Sequence, residues 1–343
     1  MNQSKEPAPT RGILDKLRAA GGPSAILNYK DFIDICLYDP EFGYYRREAT
    51  RVGRNRDADF YTAQSMGPVF GELIVGAVGQ ILEKKLGGSV DLKEWTFVNV
   101  GYENDPGWWD NQGGPFADTV QIGPDSDLNY GGNCILFSNE LFDAQPFHRI
   151  AYLNGQWTEL GVDVSTSELR ETLLPDLSEE MQAFQYKLPM DCSEGYILDL
   201  PLETNPLLGR LTNLKWNGLF LALDYGKPWI QLVNDYPQGT ARGYYKHTQV
   251  ADLLNQPGKQ DITCHICWDW MEQGLKEAGF TEITLESQEA FFVKHAQKCI
   301  EQVVAANPGS FDGNRQSLLH LIHPGTMGHQ FQALWGFRSN LPQ

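Results

Sequence analysis

The chain has 343 residues, 41% of them apolar and 21% charged, which suits a substantial core and excludes wholesale disorder. Its formal charge of −17 argues against a nucleic-acid partner, because phosphate-tracking surfaces depend on lysine and arginine displacing counterions. No apolar run approaches the roughly 20 residues a bilayer crossing needs, so membrane insertion is not expected. The opening residues, MNQSKEPAPTRG, lack a hydrophobic signal core, and cytoplasmic residence is the expectation. Six scattered cysteines, mostly in apolar runs, read as buried thiols of a reducing compartment.

In chain order, YKDFIDICLY (29–38) sets Phe32, Ile33, Cys36 and Leu37 at helical spacing, and a turn follows at Asp39-Pro40 and Gly43. A longer helix is predicted near 67–86. It would bury Val69, Phe70, Leu73, Ile74, Val78, Ile81 and Leu82 on one face and stop at Gly87-Gly88. Between the two helices, RVGRNRDADFYTAQSMGP is a loop long enough to be functional.

From residue 96 the texture changes to short apolar runs that end at glycine or an acid: TFVNVG (96–101), CILFSNE (134–140) and LFLALDYG (219–226). Unbroken apolar runs of this length suit parallel strands buried on both faces by helices. Ligands of such sheets gather beyond the carboxyl ends of the strands, which would bring Gly101, Asn139-Glu140 and Asp224-Tyr225 to one pocket. Residues from about 150 to 215 read as an insertion, starting with the hairpin-like IAYLNGQWTELGV. The tail returns to helix and strand with WDWMEQGLKEAGF and EITLES. The expected division is an N-terminal helical lobe with a cofactor-side loop (1–90) and an α/β core (91–343) carrying the insertion.

Seven segments, YKDFIDICLYDPEFGYY, ADFYTAQSMGPVFGELI, NELFDAQPFHR, LALDYG, GTARGYYKH, DITCHICWDWMEQGLKEAGF and LLHLIHPGTMGHQF, together resemble the MidA-like methyltransferases. They occur in family order over nearly the whole chain. The resemblance implies an α/β fold: a Rossmann-like S-adenosylmethionine (SAM) methyltransferase sheet, shortened here in its first half, with an added helical lobe. It also implies methyl transfer from SAM to a protein side chain, with an arginine guanidinium as the expected acceptor.

On that resemblance Asp59, Phe60 and Thr62 approach the cofactor, together with Gly101 and Asn139. Glu140 and Asp143 are the catalytic candidates, orienting the acceptor nitrogen and dispersing its charge. Tyr44, Tyr45, Asp224 and Tyr225 fall on the substrate side. Read locally, Asp59 and Thr62 are also ordinary helix-capping residues, Asn139, Glu140 and Asp143 an ordinary cap and first-turn acids, and Tyr44, Tyr45 and Phe60 fit packing at a lobe junction better than substrate contact.

The sequence departs from the family where the nucleoside should sit. The family's first strand ends in an acid and a glycine-rich loop; here Asn99 replaces the acid and Gly101 is the only well-placed glycine. About 38 residues separate Gly101 from Asn139, little more than one strand–helix–strand unit of roughly 30. DTVQIGPDSDL is either the second strand, with Gln121 where the ribose-binding acid belongs, or a later strand with the second one absent. Both alternatives remove the acid, so this reads as a damaged cofactor loop. Tyr102, Trp108 and Trp109 are then expected to fill the space beside Gly101, with SAM binding no tighter than roughly the millimolar range. A catalytically degenerate homologue, kept as a binding or assembly factor, is the alternative function. CHIC (264–267) lacks the second ligand pair that zinc requires, and no metal is expected there.

Overall fold

The structure, a computed structural model, describes residues 11–46, 67–101, 114–246, 248–306 and 313–339. Helix α1 (Arg11–Ala20) leads through strand β1 (Ile26–Asn28) into α2 (Tyr29–Tyr38). Asn28 fixes the start of α2, its side chain accepting the Asp31 N–H at 2.7 Å. Helix α3 (Pro68–Leu86) opens on a proline, which costs nothing in a first turn. It ends where the N–H groups of Gly87 and Gly88 both return to the Glu83 carbonyl, the stop that the Gly-Gly pair predicts.

Strands β2 (Thr96–Val100), β3 (Asp118–Ile122) and β4 (Gly132–Asn139) come next, and then β5 (His148–Leu153), β6 (Gln156–Asp163), β7 (Arg170–Leu173) and β8 (Ile197–Leu200). Helix α4 (Thr204–Thr212) and strand β9 (Trp216–Asp224) follow. The chain closes with α5 (Trp268–Glu277), β10 (Thr281–Ser287), α6 (Gln288–His295) and β11 (Gln332–Arg338) among its larger elements.

Six of these strands form the central sheet in the order β10-β11-β9-β4-β2-β3, with β9, β4, β2 and β3 parallel and β11 antiparallel to both its neighbours. The apolar runs alternate between two cores. Phe97, Phe137 and Leu221 pack under α3 and α6, while Val98, Leu136 and Phe220 pack under α4 and α5. Val100 pairs with Ser138 and Asn139 with Leu223, so the ends of β2, β4 and β9 share one edge of the sheet, as the strand-then-polar texture predicts.

Strand β3 lies directly beside β2, parallel and in register, which decides between the two readings of DTVQIG. It is the second strand, and Gln121 stands where a ribose-binding acid is expected. Among the described residues no strand lies beyond β3, so this half of the sheet is short.

The added lobe also contains a sheet. β1 pairs with β6, β6 with β5 and β7, and β5 with β8, every pair antiparallel. The β5–β6 hairpin turns at Asn154-Gly155, both at positive φ (53° and 79°), the conformation this dipeptide favours. Helices α1 and α2 cover the sheet through Ile13, Leu17, Phe32 and Ile33 against Phe147 and Val162. The N-terminal residues and the insertion therefore fold as one unit, while α3 packs on the central sheet.

Candidate functional site

The site is built around the turn that follows β4. Glu140 takes a left-handed backbone (φ 51°), unusual for a residue with a side chain and costing on the order of 1 kcal/mol or more. Its N–H donates to the Leu223 carbonyl at 3.0 Å, and Asn139 Nδ2 donates to Glu140 Oε1 at 3.0 Å. Asp224, at the end of the neighbouring β9, closes the turn from below. Its Oδ2 accepts the Phe142 N–H at 2.9 Å and its Oδ1 accepts the Tyr225 N–H at 2.8 Å.

Above the turn lies a cleft of about 350 Å³ between the central sheet and the lobe. Gly101 and Glu140 stand on the sheet side, Asp34, Tyr38 and Tyr45 on the lobe side, and Glu203 and Arg210 at α4. Tyr38 and Tyr45 stack at 5.4 Å with planes 22° apart. Tyr38 donates to the Ala144 carbonyl at 3.0 Å, and Gln145 Nε2 to the Leu141 carbonyl at 2.8 Å. Tyr45 donates to Asp261 at 2.8 Å. The Tyr38 bond ties the lobe to the post-β4 turn, the Gln145 bond closes the turn on itself, and the Tyr45 bond fixes that ring. Arg46 is held by a two-point contact with Asp125. A side chain at Gly101 would be strained: its φ is 74°, and an added Cβ would lie 2.8 Å from Leu141 Cδ1, which would have to move.

Burial governs the charges. Asp143 is 1% exposed, and neither of its oxygens completes a hydrogen bond. Burial, with Asp224 and Glu140 nearby, pushes it well above the usual carboxylate range, and the facing Tyr225 hydroxyl offsets this only in part. Asp224 is also raised by burial, to about 7, against the pull of its backbone donors. Of the pair, Asp143 keeps its proton longer, because several backbone N–H groups favour the charged form of Asp224 and only the Tyr225 hydroxyl favours that of Asp143. Burial lowers His265 to about 3, with Arg242 and Lys227 adding to the effect, so the ring is neutral.

A stability prediction follows from this pair. A carboxyl whose folded pKa lies above its unfolded value of about 4 stabilises the fold at low pH and loses that contribution as pH rises. Asp143→Asn should therefore match the natural chain at pH 5 and exceed it at pH 8 by on the order of 1–3 kcal/mol. Urea unfolding at both pH values checks this. An equal difference at the two would contradict it.

Of the residues expected at the site, Gly101, Glu140 and Tyr45 line the cleft. Asn139 lies behind Glu140, buried, its Oδ1 without a partner. Asp143 lies deeper still. Asp224 does not reach the substrate side: it is fully buried and its carboxylate is taken up by backbone N–H groups. Tyr225 packs edge-on against Phe331 at 5.1 Å and His265 at 6.0 Å. Tyr44 also leaves the substrate side. It is buried in the lobe core, edge-on to Tyr45 at 5.2 Å, because the short helical turn at 44–46 sends consecutive rings in different directions. Asp59, Phe60 and Thr62, and the expected fillers Tyr102, Trp108 and Trp109, lie outside the described residues.

Sequence reasoning did not single out Asp34, Tyr38, Gln145, Glu203 or Arg210. Tyr38 and Gln145 stand inside recognisable segments, beside residues that were chosen. Glu203 and Arg210 carry no local signal, since only the packing of α4 brings them to the cleft. Cys264 and Cys267 are buried free thiols raised by burial, Cys267 to about 12, and so poor nucleophiles and ligands.

Residues 116–284 match the family model described as a putative S-adenosyl-L-methionine-dependent methyltransferase. A mitochondrial protein from Drosophila melanogaster, named protein arginine methyltransferase NDUFAF7 homolog, is 24% identical over 212 residues, covering 59% of this chain and 47% of its own length. The Danio rerio protein arginine methyltransferase NDUFAF7 is 26% identical over 210 residues, 59% of this chain and 46% of its own length. The chain thus spans about half the length of the curated relatives it matches. A COG1565 superfamily member from Burkholderia thailandensis, solved bound to S-adenosyl-homocysteine, superposes with a TM-score of 0.79 at 22% identity. That match covers 97% of this chain and 95% of the other, a likeness of fold. Among the described residues no helix is long and apolar enough to cross a membrane. The motif order, the sheet order and these matches agree in supporting a place for the chain in the MidA-like family of SAM-dependent methyltransferases.

Proposed function

We propose that the chain transfers a methyl group from SAM to a protein side chain, an arginine guanidinium, in the cleft between Gly101 and Glu140. The observation carrying this reading is Glu140 itself, an acid held in a costly backbone conformation at a parallel strand end and facing a cleft. SAM supplies a methyl group on a sulfonium, open to in-line displacement. The protein's task is then mainly positioning. The Glu140 carboxylate accepts hydrogen bonds from the guanidinium, orients its nitrogen and disperses the charge that builds there. Tyr38 and Tyr45 offer stacked faces against which a planar cation fits and water is excluded. Their buried hydroxyls stay protonated and bonded to the protein.

The residues present also suit the cofactor. Asn99 Oδ1, Gln121 Oε1 and Asn139 Oδ1 are buried acceptors without partners near the strand ends, and they match a ligand rich in hydroxyl and amino donors. Asp59, Phe60 and Thr62 complete the cofactor side in this reading. The six free cysteines accord with a cytoplasmic location, and the net charge with a protein rather than nucleic-acid partner.

The degenerate reading has its own support, since Asn99 and Gln121 both stand where the family carries acids. Calorimetric titration separates the two. Methyl transfer predicts S-adenosylhomocysteine binding tighter than about 100 μM, about 5.5 kcal/mol, weakened at least tenfold by Asp59→Ala. Binding weaker than about 1 mM would favour the non-catalytic factor.

A further inference from the structure

We infer that Asp224 is a positioning residue, whose buried carboxylate holds the 140–143 turn in the shape that presents Glu140 to the cleft. The inference rests on the role given to Glu140 above and assigns Asp224 a part that none of the comparisons gives it.

Four observations carry it. Glu140 sits at φ 51°, where a residue with a side chain stays only if its surroundings hold it. Its N–H bonds the Leu223 carbonyl, one residue before Asp224, so β9 anchors the first residue of the turn directly. Asp224 Oδ2 then takes the Phe142 N–H at 2.9 Å, and the N–H groups of Leu141 and Asp143 also favour its charged form. The carboxylate thus anchors the middle of the turn through the Phe142 N–H, with the flanking amides favouring its charge. From the other side the Cys264 N–H donates to the Asp143 carbonyl at 3.0 Å, which closes the far end of the turn. Because Asp224 is fully buried, it meets neither substrate nor solvent. Its influence passes through the backbone to Glu140.

The groups facing Asp224 are Asp143 and Glu140 on the turn, Tyr225 beside it on β9's extension, and Cys264 on the bracing segment. All are neutral or acidic, so the ionised form depends on the backbone donors. Protonating Asp224 weakens those bonds. An opening of the turn that leaves Asp224 buried removes those donors, so the open form holds the proton more tightly still; the turn should therefore loosen as pH falls through neutrality, while the sheet on either side does not.

Hydrogen exchange on the full chain tests this without any activity. Between pH 8 and pH 6, after correction for intrinsic rates, protection at Leu141, Phe142 and Asp143 should fall about three- to tenfold, with amides of β4 and β9 changing less than twofold. Asp224→Asn should abolish that pH response and leave the three amides exposed at both pH values. In methyl-transfer assays the variant should lose kcat ten- to a hundredfold with the KM for SAM within twofold, and its pH–rate profile should lose the limb near 7. Should Asp224→Asn fail to fold, the pH response of the natural chain still decides. Turn protection that is unchanged by pH, or that changes only together with β4 and β9, would overturn the inference. So would a variant with unaltered kcat and pH profile. Absence of methyl transfer in the natural chain would count against the proposed function, while the exchange result would still report on Asp224.

Discussion

Glu140→Gln should lower methyl transfer by about a hundred- to a thousandfold, equivalent to about 3–4 kcal/mol of barrier. The amide keeps the size of the side chain and one acceptor oxygen but removes the charge that matches a guanidinium. Binding of S-adenosylhomocysteine should stay within threefold, since the proposed cofactor contacts lie on Gly101, Asn139 and the 59–62 loop. Glu140→Gly makes the complementary point. It frees a backbone held at φ 51°, and should stabilise the fold by about 1 kcal/mol while removing activity. Rates of radiolabelled methyl incorporation into an arginine-containing acceptor, with urea unfolding alongside, measure both effects. A Glu140→Gln enzyme within threefold of the natural one would remove Glu140 from the chemistry.

The second large effect is on the scaffold. Gly218, near the start of β9, has φ 129°, and a Cβ there would lie 2.1 Å from the Cys134 carbonyl oxygen and 2.6 Å from the buried Trp95 ring. Cys134 is its partner across the β4–β9 pair, so a methyl group would push apart the two strands that carry Glu140 and Asp224. Neither backbone nor a packed indole gives way cheaply. Gly218→Ala should cost about 3–5 kcal/mol, seen as a large fall in the urea midpoint, and should weaken cofactor binding with it. A loss under about 0.5 kcal/mol would mean that the β4–β9 contact is softer than its geometry indicates.

The central sheet was legible because burial on both faces writes unbroken apolar runs, as in CILFSNE and LFLALDYG, and because Gly-Gly marks where α3 stops. Glu140 and Gly101 could be placed for the same reason: each ends such a run. The fate of Asp224 could not be read. A buried acid that binds amides and one that meets a ligand look alike after a strand, and only the adjacent turn distinguishes them. Tyr44 and Tyr45 posed the same problem, since neighbouring rings in a helical turn diverge and the sequence does not say which one faces the cleft. The lobe's strands were partly visible in LNGQ, whose Asn-Gly pair makes the β5–β6 hairpin. Their pairing with residues 26–28 joins segments more than a hundred positions apart and leaves no local trace. Glu203 and Arg210 reach the cleft by the same kind of long-range packing.

The central claim is that the sheet edge bordering this cleft, where β2 and β4 end, receives the methyl donor. A crystal of the chain soaked with several millimolar S-adenosylhomocysteine tests it most directly. The account predicts the ligand at the carboxyl ends of β2 and β4, its homocysteine part along Gly101, its ribose beside Asn99 and Gln121, and its sulfur directed toward Glu140. Continuous protein density through that space, with aromatic side chains where the ligand should lie, would contradict it.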